Sequence, residues 1–207
     1  MKFELYFLLI SLLAGLLHLD SMVFGQFMVS RPIITGPLIG YFFGSAETGF
    51  LVGVILELVY VSLIPVGTKV PNDSTAATIF AVVIMNIKEC NGLGIPISIL
   101  SGFLMGFVYK IIDIQQRFLN STFLGWVDTA KPELVEKRIT LLVHYGILIS
   151  FLKAVLFYLF TLPIVYFLVK KLCLITANCS IKSGLDVLIY VLPAIGIGIT
   201  ISHFSEK

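Results

Sequence analysis

The chain has 207 residues, of which 58% are hydrophobic and only 13% charged, with a formal net charge of +2. Soluble domains carry roughly 25% charged residues, so this composition excludes a soluble enzyme and places the chain in a lipid bilayer; the small, scattered positive charge also excludes nucleic acid as a partner. At about 20 residues per crossing, the length accommodates roughly five or six membrane segments. The expected architecture is an all-α membrane protein, a polytopic bundle with broken or re-entrant helices, filling 1–207 as a single integral membrane domain.

The first helix is expected from about Phe3 to Leu19, stopping at His18, Asp20 and Ser21, which cap or solvate an interface. Its apolar run, Leu5 to Leu17, lacks a small-residue cleavage pattern, so it reads as an uncleaved membrane helix. Met22 to Phe43 is apolar but broken by Gly25, Pro32, Gly36 and Pro37, and predicts two short helical pieces in place of one straight span. Phe50 to Ile64 is short for a crossing and ends at Pro65 and Gly67. A polar, proline-punctuated stretch then runs to Thr75, before a second short apolar piece, Ala76 to Ile87. Two half-length segments joined by a polar turn predict a broken or re-entrant element.

Ile95 to Ile112 offers a further crossing, with Gly102 and Gly106 at the spacing that lets helices approach closely. The stretch 113–138 mixes acids and bases and carries Phe123 and Trp126 as interface anchors; it predicts an amphipathic or aqueous connection between a first half, 1–112, and C-terminal membrane helices, 139–207. Counting Lys110, this connection holds five basic residues against Lys170, Lys171 and Lys182 in the next, which leans it towards the cytoplasm. Ile139 to Val169 exceeds one straight span and is expected to tilt, project or fold back near Lys153 or Pro163. Leu185 to Ser202 supplies the last crossing.

Glu57 is the first candidate for function. An ionisable group inside an apolar helix is costly unless it is paired, protonated or facing a polar cavity. Gly49, Gly53 and Glu57 share one helix face, and Gly36, Gly40 and Gly44 repeat that spacing on the preceding segment. The alternative is that Glu57 only ties two helices together. Asp73 is the second candidate, in Pro71-Asn72-Asp73-Ser74-Thr75, where it or Ser74 caps a helix start. A plain N-cap is one reading. The other is a ligand contact, because irregular backbone at membrane depth is tolerated only against protein or a water-filled cavity, and carboxylates, amides and hydroxyls there suit a polyhydroxylated ligand such as a sugar.

Lys153 either snorkels or neutralises an acid such as Glu57. His18, His144 and His203 show no ligand spacing and read as interfacial or satisfied buried histidines. Cys90, Cys173 and Cys179, an odd count without a CxxC pair, read as structural, with neither a disulfide framework nor a metal site. No nucleotide-binding glycine loop is present and no cofactor is indicated, so energy for transport comes from a gradient or another subunit.

Across Val23 to Ala77 the chain resembles the membrane component IIC of the mannose, fructose, sorbose and N-acetylgalactosamine branch of the bacterial sugar phosphotransferase system. The residues that carry the resemblance are Ser30-Arg31-Pro32-Ile33-Ile34, Gly36-Pro37-Leu38-Ile39-Gly40, Thr48-Gly49-Phe50, Leu56-Glu57-Leu58, Pro65-Val66-Gly67 and Val70-Pro71-Asn72-Asp73. The chain departs from the mannose type at Met28, where those members often have Gln, and it is short for the family, as if one or two last helices were absent.

The resemblance implies a permease subunit of the bacterial plasma (inner) membrane that pairs with a IID membrane subunit in an oligomeric assembly. It implies no phosphoryl chemistry in the chain itself: cytoplasmic IIA and IIB proteins relay phosphate from phosphoenolpyruvate, and IIB phosphorylates the hexose-type sugar as it is delivered. Glu57 and Asp73 match the family's two acids as sugar contacts, with Asn72 and Thr68 as lesser ones. Gly67, Pro71, Gly36, Gly40, Gly49 and Gly53 then shape the broken segments. The rival reading is a gradient-driven secondary transporter of a small polar solute, with Glu57 as proton carrier and Lys153 as its partner. A third is a membrane scaffold that transports nothing.

Overall fold

The computed structural model describes residues 2–23, 25–61, 70–87, 90, 94–128, 132–176 and 187–205; these form seven helices and, among the described residues, no strand. Helix α1 spans Lys2–Met22. Its buried positions Phe7, Ile10, Ala14 and Leu17 recur every three or four residues and form one stripe. That stripe faces α6, Pro132–Thr176, and the fit leaves no room for a side chain at Gly15, where a Cβ would meet Val155 at 2.6 Å and Phe151 at 2.8 Å. The opposite face exposes Leu5, Leu9, Leu12 and Leu16, a surface that lipid covers.

Only the second half of Met22 to Phe43 becomes a helix, α2, Pro32–Phe42, in place of the two pieces expected. The preceding residues adopt left-handed backbone at Gly25, Gln26 and Met28, with φ of 91°, 50° and 64°. The Asp20 carboxylate holds them in that path by accepting from the backbone amides of Phe27 (2.7 Å) and Ser30 (3.1 Å). Helix α2 begins where Pro32 can start a helix without wasting an amide, and it closes at Gly44, φ 69°, with Ser45 N donating back to Gly40 O at 2.9 Å.

Helix α3, Ala46–Tyr60, folds back against α2. The glycines explain how closely. A Cβ on Gly49 would lie 2.5 Å from the carbonyl oxygen of Gly36, one on Gly40 would lie 2.8 Å from that of Ser45, and those on Gly36 and Gly53 would strike the backbone of Gly49 and Pro32. Backbone therefore packs on backbone, the arrangement small residues permit where lipid gives no hydrophobic push.

Helix α4, Ser74–Met85, is apolar on every side and buried from Thr75 to Ile84, which makes it the centre of the bundle. It packs on α5, Gly94–Asp128, where Gly102 meets the backbone of Ala77 and Gly106 that of Asp73. Helix α7, Leu188–Ser205, lies on α3, with Gly196 against the backbone of Leu58.

Three helices are long and apolar enough to cross a bilayer alone, within Glu4–Ser21, Gly94–Phe123 and Leu134–Leu174; α2, α4 and the Leu188–Ser202 part of α7 are shorter apolar pieces. Two expectations change here, and a third is narrowed from its alternatives. The polar stretch 113–138 is mostly helix, with α5 running on to Asp128 and α6 starting at Pro132. At 1.5 Å per residue these helices reach about 50 and 70 Å, so both project beyond a hydrocarbon core of about 30 Å. The run from Ile139 does not fold back: Lys153 and Pro163 both sit inside the continuous α6. Cys90 and Cys173, 83 residues apart in sequence, form a disulfide that links the segment after α4 to the C-terminal part of α6; local spacing carries no information about so distant a pairing.

Candidate functional site

The N-terminus of α4 sits in the interior of the bundle because the chain enters it through Val70 to Asp73, in non-helical conformation, next to α5. Asp73 N donates to Gly106 O at 3.3 Å, which fixes the cap against α5. Asp73 Oδ1 accepts from Ala76 N at 2.6 Å, so the side chain is the N-cap its position predicts. That use engages one carboxylate oxygen. The other, Oδ2, faces His18 Nδ1 at 3.8 Å, within ion-pair reach but beyond hydrogen-bond length.

His18 is not at a helix end, as its sequence context suggested. It is 3% exposed, inside α1, and its Nε2 is 2.8 Å from the Tyr158 hydroxyl. Its ring stacks on Tyr109 with centroids 4.2 Å apart, and Tyr158 stacks on its other neighbours, Tyr109 and Phe80. Among the described residues, three buried side-chain atoms have no hydrogen-bond partner, Gln116 Oε1 and, near the α4 cap, His18 Nδ1 and the Tyr60 hydroxyl. Each such atom costs about 1–3 kcal/mol, a cost concentrated beside Asp73: the point where a Cβ on Gly106 would stand is 2.6 Å from Asp73 O and 3.3 Å from the Tyr60 hydroxyl.

Glu57 lies one turn before Tyr60 on α3 and is held differently. Its Oε1 is 3.3 Å from Arg31 Nη1, and its Oε2 accepts from Ile33 N at 3.4 Å, so the carboxylate ties α3 to the start of α2. Asn72 accepts from Lys110 Nζ at 3.4 Å. Pro71 is half-buried in the entry to α4. Thr68 and Gly67 lie outside the described residues. Lys153 does not pair with Glu57. It lies 3.0 Å from Asp113, and Arg117 approaches the same carboxylate at 2.8 Å. The Lys153 ammonium also sits 4.9 Å from the centre of the Tyr109 ring, so this second ionic group borders the His18 stack.

Asp113, expected in an aqueous connection, is thus a buried, paired acid in the middle of α5. Its i,i+4 spacing to Arg117 was the one available signal. Nothing comparable marks His18, Tyr60 or Tyr158, because a single apolar-run tyrosine or histidine looks alike whether its polar atom is buried or wet.

Apolar helices, three of them long enough to cross a bilayer, and a carboxylate, imidazole and phenol gathered at the start of α4 define a polytopic helical membrane protein with polar groups in its interior. The chain belongs to the family described as PTS system sorbose-specific IIC component, which matches residues 5–207.

Two Escherichia coli K12 proteins are similar over shorter stretches. N-acetylgalactosamine permease IIC component 1 is 32% identical over 89 residues, 41% of this chain and 33% of that protein. Putative N-acetylgalactosamine permease IIC component 2 is 31% identical over 105 residues, 49% of this chain and 75% of that protein. The match thus spans about a third of the first relative's length. A solved structure titled "Structure of membrane protein" superposes with a TM-score of 0.73 at 17% identity, over 97% of this chain and 78% of the other, and shares the fold.

Proposed function

We propose that the chain is the sugar-translocating IIC subunit of a phosphoenolpyruvate-dependent phosphotransferase system, which binds a hexose-type sugar and presents it to a cytoplasmic IIB subunit. It pairs with a IID membrane subunit, lies in the bacterial inner membrane and does no phosphoryl chemistry. The observation that carries this reading is the part-buried Asp73 carboxylate at the start of α4, with one oxygen engaged as a helix cap and the other facing the unpartnered His18 Nδ1 at 3.8 Å. A carboxylate so placed accepts from sugar hydroxyls, which are neutral donors that cost less to desolvate than an ion.

On this reading Glu57, on α3, and Asn72, in the α4 entry, are the further sugar contacts. The relatives named for N-acetylgalactosamine make that amino sugar the first substrate to try. Lys153 pairs with Asp113 and Glu57 with Arg31, so the specific Glu57–Lys153 pair of the gradient-driven reading does not form. The test is uptake of labelled sugar by cells carrying the remaining phosphotransferase components: Asp73→Asn abolishes uptake while insertion persists. Normal uptake by that variant contradicts the assignment, and uptake that survives without phosphoenolpyruvate but collapses with an uncoupler favours the gradient-driven rival.

A further inference from the structure

Two polar atoms at the start of α4, His18 Nδ1 and the Tyr60 hydroxyl, are buried without a hydrogen-bond partner among the described residues, and the second oxygen of Asp73, Oδ2, lies 3.8 Å from the first of them. They come from three different helices, α1, α3 and the cap of α4. His18 cannot turn away, because Nε2 is bound to Tyr158 and the ring is stacked on Tyr109. Tyr60 is 5% exposed and stacks on Phe103. Gly106 lets the α5 backbone close on this point: a Cβ there would stand 2.6 Å from the Asp73 carbonyl oxygen and 3.3 Å from the Tyr60 hydroxyl, which places that hydroxyl beside the α4 cap.

We propose that His18, Tyr60 and the free oxygen of Asp73 form a buried subsite that reads one hydroxyl of the translocated sugar, with His18 and Tyr60 as specificity-determining residues. This inference rests on the permease reading above. The geometry favours a neutral hydroxyl. Nδ1 and Oδ2 are 3.8 Å apart, so one oxygen fits at ordinary hydrogen-bond length, about 2.8 Å, from both. The carboxylate in front of Nδ1 selects the tautomer with the proton there, and Nε2 then accepts from Tyr158. The sugar oxygen donates to Asp73 and accepts from His18, while Tyr60 supplies the third contact. A sugar without that hydroxyl leaves the three atoms unpaired, and sites built to hydrogen-bond a hydroxyl discriminate strongly against the analogue that lacks it.

The experiment is equilibrium binding to membranes containing the full chain. Tritiated mannose, fructose, sorbose and N-acetylgalactosamine are screened first, followed by the deoxy derivatives of the tightest binder. One deoxy derivative is expected to bind wild type roughly ten-fold more weakly than its parent. Tyr60→Phe, which removes only an unpartnered oxygen, weakens the parent sugar by a similar factor, no longer distinguishes that derivative, and does not lower the unfolding temperature without sugar. His18→Asn, whose amide nitrogen reproduces Nδ1, retains binding that His18→Gln, which reproduces Nε2, loses.

If Tyr60→Phe keeps both the affinity and the deoxy pattern of wild type, the three atoms hold only water and the subsite is wrong while the permease reading stands. If wild type binds none of the four sugars, the permease reading fails and the subsite with it.

Discussion

His18 Nδ1 and Asp73 Oδ2 face each other at 3.8 Å across the interface of α1 and the α4 cap, although 55 positions of chain separate them. Asp73 has two tasks as a result. One oxygen completes the first turn of α4, and the other faces the buried His18 imidazole. The cap alone is a stabilising device of about 1 kcal/mol. The proposed function gives the second oxygen a ligand contact as its task, where a plain N-cap would leave it only the approach to His18.

The two tasks separate by mutation. Asp73→Asn and Asp73→Ser both keep a capping oxygen, so the folded protein loses less than about 1 kcal/mol in detergent melts. Both lose sugar uptake. A variant that caps and still transports leaves Asp73 a structural residue.

The Asp113 and Lys153 pair carries a different prediction. Their side chains are 4% and 13% exposed, so removing one partner strands a buried charge, although Arg117 remains beside Asp113. Lys153→Ala is expected to destabilise by about 3–5 kcal/mol, and Asp113→Leu with Lys153→Met to recover most of that loss. Chemical or thermal unfolding of the purified variants reads both values. Equal losses in the single and double variants contradict a mutual pair.

Glu57 and Arg31 behave otherwise because Arg31 is 43% exposed. Arg31→Gln costs at most about 1 kcal/mol in stability. Glu57→Gln stays inserted and folded yet loses uptake, since the carboxylate and not the ion pair is what a sugar contact needs. Loss of folding in Arg31→Gln makes the pair a structural necessity and removes the functional argument for Glu57.

Close approach of α2 and α3 predicts a sharp contrast between glycines. Gly49→Ala places a methyl group 2.5 Å from the Gly36 carbonyl oxygen and should cost about 1–3 kcal/mol, whereas Gly146→Ala, with nothing within 4 Å, costs nothing measurable. Melting temperatures of the two variants decide it, and equal behaviour contradicts the backbone contact.

The reach of the sequence is clear from these residues. Glycine and proline spacing marked out the short apolar segments that become α2, α3 and α4, because such punctuation depends on local geometry, but it did not show that α2 and α3 pack on each other. The family of the chain was likewise legible in the proline, glycine and acid positions from Ser30 to Asp73. Hydropathy misplaced Asp113, since a charged residue at the end of an apolar run looks like a loop until its partner on α6 is known. The sequence leaves His18 open between an interfacial and a buried histidine for the same reason: its partners, Tyr109, Tyr158 and Asp73, arrive from three distant segments. The Cys90 to Cys173 bridge is another such long-range pairing.

The central claim is that the free oxygen of Asp73 binds sugar. Equilibrium binding of tritiated N-acetylgalactosamine to membranes containing wild type and Asp73→Asn tests it most directly, with insertion of both checked by immunoblot. The account predicts saturable binding to wild type that falls at least ten-fold in the variant. Saturable binding of equal affinity to both proteins contradicts it.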